Sequence, residues 1–314
     1  MDLNERQEYE LLASISARGE IPVKFGYLWD GAERWDNFYR SEWSIKNEEV
    51  ALMAAHIESF IQSFGNTKGI NLIDLGCGNG LPALEILKKL KAKKLTVNYV
   101  PVDLNPKMCA IASKNIRETF GDISVTELEI DFESESLASA LISVKQQSKL
   151  PNLLINLGNT LGNYVNVSSV LTNFLQSMAL DDYLIIGNGL VNDQNPKKIL
   201  NAYASDLLRE DLVMPARMLG LFTDKDSYEV LWNPSHHRIE ARIKLSSDRQ
   251  LSLAGQSISL AEGDEILVLR SSKYTESSLT RLLSEVGYRT ELLTTNRNRS
   301  YILAMIQPTR YSAA

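Results

Sequence analysis

Three glycines spaced two apart, Gly76, Gly78 and Gly80, interrupt the chain between an apolar run at 70–75 and a helical pattern at 81–91. The full stretch reads Leu72-Ile73-Asp74-Leu75-Gly76-Cys77-Gly78-Asn79-Gly80. Glycines at a strand-to-helix turn carry no Cβ, so a ligand can lie against bare backbone. The dinucleotide fingerprint G-x-G-x-x-G would need a further glycine at position 81, which is Leu81. A chain built around this turn must place a buried strand before it and a helix after it.

From residue 70 onward strand-like and helix-like patterns alternate, the signature of a parallel sheet. Strands are expected near 70–75, 96–102, 123–130, 152–157 and 183–188, with helices at 81–91, 106–119, 134–147 and 167–179. After 190 the alternation lapses. A helical stretch at 196–209 precedes segments at 228–232, 238–245, 250–253 and 265–269 that alternate apolar and polar residues as antiparallel strands do. A helix at 275–286 and a strand pair at 289–294 and 300–306 close the chain. The N-terminal residues 1–62 read as helical, with an aromatic stretch (Phe25, Tyr27, Trp29, Trp35, Phe38, Tyr39, Trp43) that suits core packing or a lid over a small ligand.

The D-x-G-x-G-x-G turn is similar to the opening of class I S-adenosylmethionine (SAM) methyltransferases. The expected fold is therefore α/β: a class I methyltransferase (Rossmann-like) sheet with a reversed last strand, plus a second α+β domain from the N-terminus and an insertion. The expected boundaries are 62–190 and 272–314 for the SAM-binding core, and 1–61 and 191–271 for the substrate domain. A chain of 314 residues, 44% of them apolar, has room for both.

Charge and composition narrow the partners. The net charge of −6 argues against a general nucleic-acid binder, which needs a basic face to displace counterions. The lysines at 88–94 sit at a helix end, where they favour the dipole and face water. No apolar run reaches membrane-spanning length, the N-terminus is charged rather than signal-like, and Cys77 and Cys109 form no C-x-x-C. The expectation is a cytoplasmic monomer acting on a small-molecule amine, with neither nucleic acid nor membrane as partner. His236 and His237 are adjacent and would point to opposite faces of a strand, so no metal is expected. Neither a G-x-S-x-G elbow nor a G-x-x-x-x-G-K-[ST] loop occurs.

Several residues at the carboxyl ends of the strands are candidates for holding SAM. Asp103 ends the second strand, about 25 residues past the glycines, where an acidic group can accept both ribose hydroxyls. Asp131 and Phe132 end the third and suit an adenine amino group and ring face, although Asp131 can equally be an N-cap for the next helix. Asp74, Asn156 and Gly158 complete the cofactor set with the three glycines. The fourth strand continues as Leu157-Gly158-Asn159-Thr160-Leu161-Gly162-Asn163-Tyr164, small residues and amides that hydrogen-bond without charge, in place of the N/D-P-P-Y/F of enzymes that methylate base amines. Ordinary turn chemistry is the alternative.

The chain resembles the histidine Nα-methyltransferases of ergothioneine biosynthesis and the related dimethylallyltryptophan N-methyltransferases. The resemblance rests on Tyr99-Val100-Pro101-Val102-Asp103, on the 157–163 segment, and on Asp182-Tyr183-Leu184-Ile185-Ile186-Gly187. It also rests on Ala202-Tyr203, Arg238-Ile239-Glu240 and Ser271-Ser272-Lys273-Tyr274-Thr275. It implies that Asn163 and Tyr203 hold the α-amino and carboxylate groups of an amino acid, that Thr160 and Gly158 line the same pocket, and that Trp43 stands where a further Tyr takes part. Ser271 belongs to the side-group site. Two positions depart from the histidine enzymes: their Glu in T-E-x-S is Leu269 here, and their Met after Ile-Glu is Ala241. A lost acceptor and a shortened side chain imply a roomier, more apolar site, and an imidazole N–H facing leucine would cost on the order of 1–3 kcal/mol. The expected function is N-methylation of an amino acid or similar metabolite with an aromatic or apolar side group. A methyltransferase of peptide or protein amines and a non-catalytic SAM-binding protein are the other readings.

Overall fold

A computed structural model describes residues 3–40, 46–191 and 196–309. The chain forms two compact units: Trp35–Leu161, Asn166–Asn192 and Tyr274–Ala314 in one, and Met1–Arg34, Gly162–Val165 and Asp193–Lys273 in the other. In chain order the first unit contributes β1 (Gly69–Leu75), β2 (Thr96–Asp103), β3 (Ser124–Val125), β4 (Leu128–Glu129), β5 (Asn152–Asn156) and β6 (Tyr183–Gly189). The second unit then supplies β7 (Ser227–Asn233), β8 (Arg238–Lys244), β9 (Arg249–Leu253), β10 (Gln256–Leu260) and β11 (Glu265–Ser272). The chain returns to the first unit for β12 (Tyr288–Thr295) and β13 (Tyr301–Pro308).

The large sheet of the first unit runs β12-β13-β6-β5-β1-β2-β3, with β4 also on β2. Strands β1, β2, β5 and β6 pair in parallel, whereas β13 is antiparallel to both β6 and β12. This is the mixed sheet with a reversed last strand expected from the sequence. Every residue of β1 and of β13 is buried, as strands covered on both faces require. The sheet order reverses between β1 and β5, and at such a switch point the loops leaving two neighbouring strands diverge and open a crevice. The glycine loop and the 157–161 segment are those two loops.

Local differences from the expected elements have local causes. The strand expected at 123–130 is two short ladders, interrupted at Thr126, whose N–H still reaches the Tyr99 carbonyl at 3.0 Å. The following helix begins only at Ala138, because 131–135 is a turn rather than a first helical turn. The helical stretch expected at 196–209 is two helices, Pro196–Tyr203 and Asp206–Met218, the second capped by Ser205, whose hydroxyl accepts from the Leu208 N–H. Strand β10 joins β9 through Ala254 and Gly255, both at positive φ, a two-residue hairpin turn that an Ala-Gly pair signals weakly. Of the N-terminal residues assigned above to the substrate domain, 35–40 and 46–61 pack in the sheet unit instead. The helix Lys46–Gln62 lies in that unit, and its Met53, Ile57 and Phe60 are fully buried. The lysines at 88–94 face water as expected, Lys88 pairing with Glu85 at 2.6 Å and Lys91 with Asp122 at 3.1 Å.

The second unit has its own core. Sheet β11-β8-β7 is antiparallel, and its apolar residues join Leu11, Ile15, Phe25, Val213 and Leu221 in one buried cluster.

Candidate active site

In the sheet unit, Gly76, Gly78 and Gly80 all take positive φ (70°, 51° and 71°), the left-handed region that a Cβ disfavours. At Gly78 a Cβ would stand 2.8 Å from Trp35 Nε1, and at Gly80 it would stand 2.9 Å from Tyr99 Oη. The aromatic stretch thus divides: Phe25, Phe38 and Tyr39 are buried in packing, while Trp35 lies against the glycine loop.

Asp74 ends β1 and accepts a hydrogen bond from Tyr99 Oη at 2.7 Å. Burial pushes its carboxyl up to about 7, against the lowering effect of that bond, and Asp103 and Glu49 add to the rise. Asp103 ends β2, and its Oδ1 accepts from the Asn105 N–H at 3.1 Å. Burial raises it to about 6, while backbone N–H groups of Asn105, Gly78 and Leu104 hold it down. Asp131 accepts from the Glu133 N–H at 3.2 Å and the Ser134 hydroxyl at 2.8 Å, so it ties the 131–135 turn and does not cap the helix that starts at Ala138. Phe132 is buried edge-on against Phe174 at 5.3 Å and comes, with Thr160, beside Gly76. Asn156 Nδ2 donates to the Leu75 carbonyl at 2.9 Å and so fastens the ends of β5 and β1 together.

Glu49 was not singled out from the sequence. It lies on the helix Lys46–Gln62, 1% exposed, and its Oε2 accepts from the Gly158 N–H at 2.7 Å and from Tyr301 Oη. Burial pushes its carboxyl above the ordinary range despite those two donors. An acidic residue in the first turn of a helix, next to Glu48, reads in sequence as a dipole partner facing water.

The glycine cradle and Asp103 fit a nucleoside with an amino-acid tail. The turn of three left-handed glycines follows β1, and a carboxylate stands at the end of the adjacent strand. Among the described residues no group of His, Cys, Asp and Glu side chains is placed to hold a metal, and no helix is long and apolar enough to cross a membrane. Trp43 lies outside the described residues.

In the second unit, Tyr203 ends its helix with its hydroxyl 2.9 Å from Ser271 Oγ on β11. Lys273 Nζ donates to both, at 3.0 Å to Tyr203 and 2.9 Å to Ser271. Burial alone would raise the Tyr203 phenol, but the Lys273 ammonium and the two hydrogen bonds outweigh it and hold the phenol below its ordinary value. Lys273 stands in the 271–275 stretch quoted above with no role assigned to it, although strand alternation places 269, 271 and 273 on one face. Asn163 lies in the same unit, its Oδ1 buried without a hydrogen-bond partner among the described residues. The segment passes close to β11 because Gly162 has no side chain: a Cβ there would meet the Ser272 carbonyl at 2.5 Å. Thr160 and Gly158 belong to the sheet unit, where Thr160 Oγ1 donates to the Leu157 carbonyl at 2.6 Å.

Ala241 and Leu269 are direct cross-strand partners on β8 and β11, buried to 0% and 3% exposure in this unit's core, into which Tyr203 also packs. Paired residues share a face, so both lie on the Ser271 side of the sheet. Glu240, the nearby carboxylate, points to the other face, where Arg238, Arg242 and Asn233 engage it. Burial opposes its ionisation, but the two guanidinium groups hold the carboxyl below its ordinary range.

A sheet ordered β12-β13-β6-β5-β1-β2-β3, with one reversed strand and a glycine cradle at its switch point, defines a class I SAM-dependent methyltransferase. The chain belongs to the family described as histidine-specific, SAM-dependent methyltransferases, which it matches over residues 7–308. It is similar to the N-methyltransferase imqF of Aspergillus flavus, at 23% identity over 93% of this chain and 82% of that one. It is also similar to the N-methyltransferase fsqC of Aspergillus fumigatus, at 23% identity over 78% of this chain and 68% of that one. Among solved structures, the PH0226 protein of Pyrococcus horikoshii aligns over 87% of this chain and 99% of its own, with a TM-score of 0.47 and 13% identity.

Proposed function

We propose that this methyltransferase acts on the amine of an amino acid or amino-acid-like metabolite whose side group is aromatic or apolar, and that free histidine is a poor substrate. The observation that carries this is the Ala241–Leu269 pair, a small residue facing an apolar one on the Ser271 face, with Glu240 held by arginines on the other face. Glu240, next in sequence to Ala241, is thereby turned away from the side where an imidazole N–H would need an acceptor. The two fungal relatives, both named N-methyltransferases, support nitrogen as the acceptor. SAM would supply the methyl group as a sulfonium. The enzyme's part is to bring a neutral amine within roughly 3–3.5 Å of that carbon, opposite sulfur.

Asp103 would hold the ribose, Asp74 and the three glycines the amino-acid tail, and Phe132 with Asp131 the adenine. Asn156 and Gly158 shape that end of β5. Asn163 and Tyr203 would orient the substrate, and Thr160 would serve in holding it too. Asp103→Ala is expected to weaken SAM binding at least about tenfold, since a hydroxyl pair loses a charged acceptor. Undiminished affinity by calorimetry would take Asp103 out of the site. Asn163→Ala and Tyr203→Phe are expected to depress turnover while leaving SAM affinity nearly intact. Loss of SAM binding by a folded Asn163→Ala or Tyr203→Phe variant would contradict this division of roles.

The reading as a whole is tested by titrating SAM and scanning amines for S-adenosylhomocysteine formation, with free amino acids and short peptides as separate arms. Turnover of peptides alone would replace it with the protein-amine reading, and SAM binding without turnover would make this a non-catalytic binding protein.

A further inference from the structure

We propose that Tyr203 accepts the proton that the substrate's ammonium must lose before methyl transfer, and that Lys273 is the positioning residue that prepares it. This rests on the amine reading above. Lys273 is a buried cation with no carboxylate partner among the described residues. Lys273 is 6% exposed, and among the described residues its partners are Tyr203 Oη and Ser271 Oγ, both neutral in their ordinary forms. Lys24, another buried lysine of this unit, is paired with Glu10 at 2.7 Å, and the half-buried Arg270 is paired with Glu20. A desolvated ammonium is costly unless an anion compensates it.

The counter-ion within reach is the phenolate of Tyr203 itself. The three polar atoms form a closed triangle with sides of 2.9, 2.9 and 3.0 Å, and the ammonium also stands 4.9 Å from the centre of the Tyr203 ring. Lys273 is the charged group acting on this phenol among the described residues, with Ser271 the other hydrogen-bonding neighbour. Both favour the ionised form over the neutral one, the direction already described for Tyr203. Tyr203 is half-buried, whereas Leu269 and Ala241 are sealed in the core.

The step balances without a further reactant. The phenolate oxygen takes one proton from the substrate ammonium, leaving a neutral amine and a neutral phenol. The amine lone pair then forms the new N–C bond while the methyl's bond to sulfur breaks, its electron pair staying on sulfur. The product leaves as a methylated ammonium, and the phenol returns its proton to water before the next turnover. A general base of this kind contributes typically 10²–10⁴-fold when its pKa lies near the working pH.

The test reads the phenol directly. The ultraviolet difference titration of wild type against Tyr203→Phe is expected to show a phenolate forming below the ordinary value of about 10, and Lys273→Met is expected to move it to that value or above. In the same Lys273→Met variant, kcat at neutral pH should fall at least about tenfold with SAM affinity unchanged, and should recover as pH rises. Lys273→Arg, which keeps the charge, should retain part of the shift, and serves where the methionine variant does not fold. A Tyr203 that titrates at its ordinary value in an enzyme that methylates amines would overturn this proposal alone. So would a loss in Lys273→Met that is the same at every pH. Absence of turnover with every amine, alongside a lowered phenol, would instead remove the amine reading and leave the Tyr203–Lys273 pair as the chain's acid–base group.

Discussion

The double change Ala241→Met with Leu269→Glu is expected to raise kcat/KM for histidine relative to tryptophan by at least about 100-fold, or about 2.7 kcal/mol at the transition state. The two positions face each other across β8 and β11, so the substitutions act on one side-group site rather than two. A carboxylate there would give the imidazole N–H an acceptor, and a methionine would crowd a larger ring. Sites that match a polar group discriminate strongly, because an analogue lacking it leaves a desolvated partner behind, whereas an apolar surface discriminates by only about 1–3 kcal/mol per methylene. Both positions are buried, so the double variant carries a stability cost of several kcal/mol from the introduced carboxylate. Thermal melts must therefore accompany the kinetics. Ala241→Met alone, costing about 1–3 kcal/mol by overpacking, keeps the question open to experiment and should lower tryptophan turnover while leaving histidine turnover little changed.

Gly80→Val is expected to weaken SAM binding more than about 100-fold and to lower Tm by several degrees, with roughly 2–4 °C for each kcal/mol lost in a domain of this size. A β-branched side chain at φ +71° is strained by about 1–3 kcal/mol before it touches anything. Its Cβ would then stand 2.9 Å from Tyr99 Oη and 3.1 Å from Ala112 Cβ. Tyr99 would have to leave Asp74, whose buried carboxyl depends on that hydrogen bond to remain ionisable near neutral pH. Gly76→Val is the milder comparison, since a Cβ there meets only Thr160 and Phe132 at ordinary contact distances. Normal SAM affinity in Gly80→Val would show that the glycine loop is not the cradle.

What could be read from the sequence was what depends on period and punctuation. The apolar run before Gly76, the acidic end of β2 at Asp103, and the hairpin of β12 and β13 are local patterns, and together they announce the reversed strand of the sheet. What could not be read depends on partners distant in the chain. Glu49 and Lys273 look in sequence like ordinary surface charges, and only folding brings Tyr301 and Gly158 to the one and Tyr203 and Ser271 to the other. Asp131 shows the converse. Its type and position suit a ligand, and folding gives it a second, local role, since its oxygens also accept from the Glu133 N–H and the Ser134 hydroxyl two and three residues on. The break between β3 and β4, and that between the helices at Ser205, escaped because neither carries a glycine or proline to mark it.

The most direct test of the central claim is kcat/KM of the unaltered enzyme for histidine, tryptophan and tyrosine, measured by S-adenosylhomocysteine release with saturating SAM. An aromatic amino acid should exceed histidine by at least about tenfold, as expected where an imidazole N–H faces leucine without an acceptor. Histidine as the best of the three would contradict it, and would mean that the Ala241–Leu269 face does not read the side group.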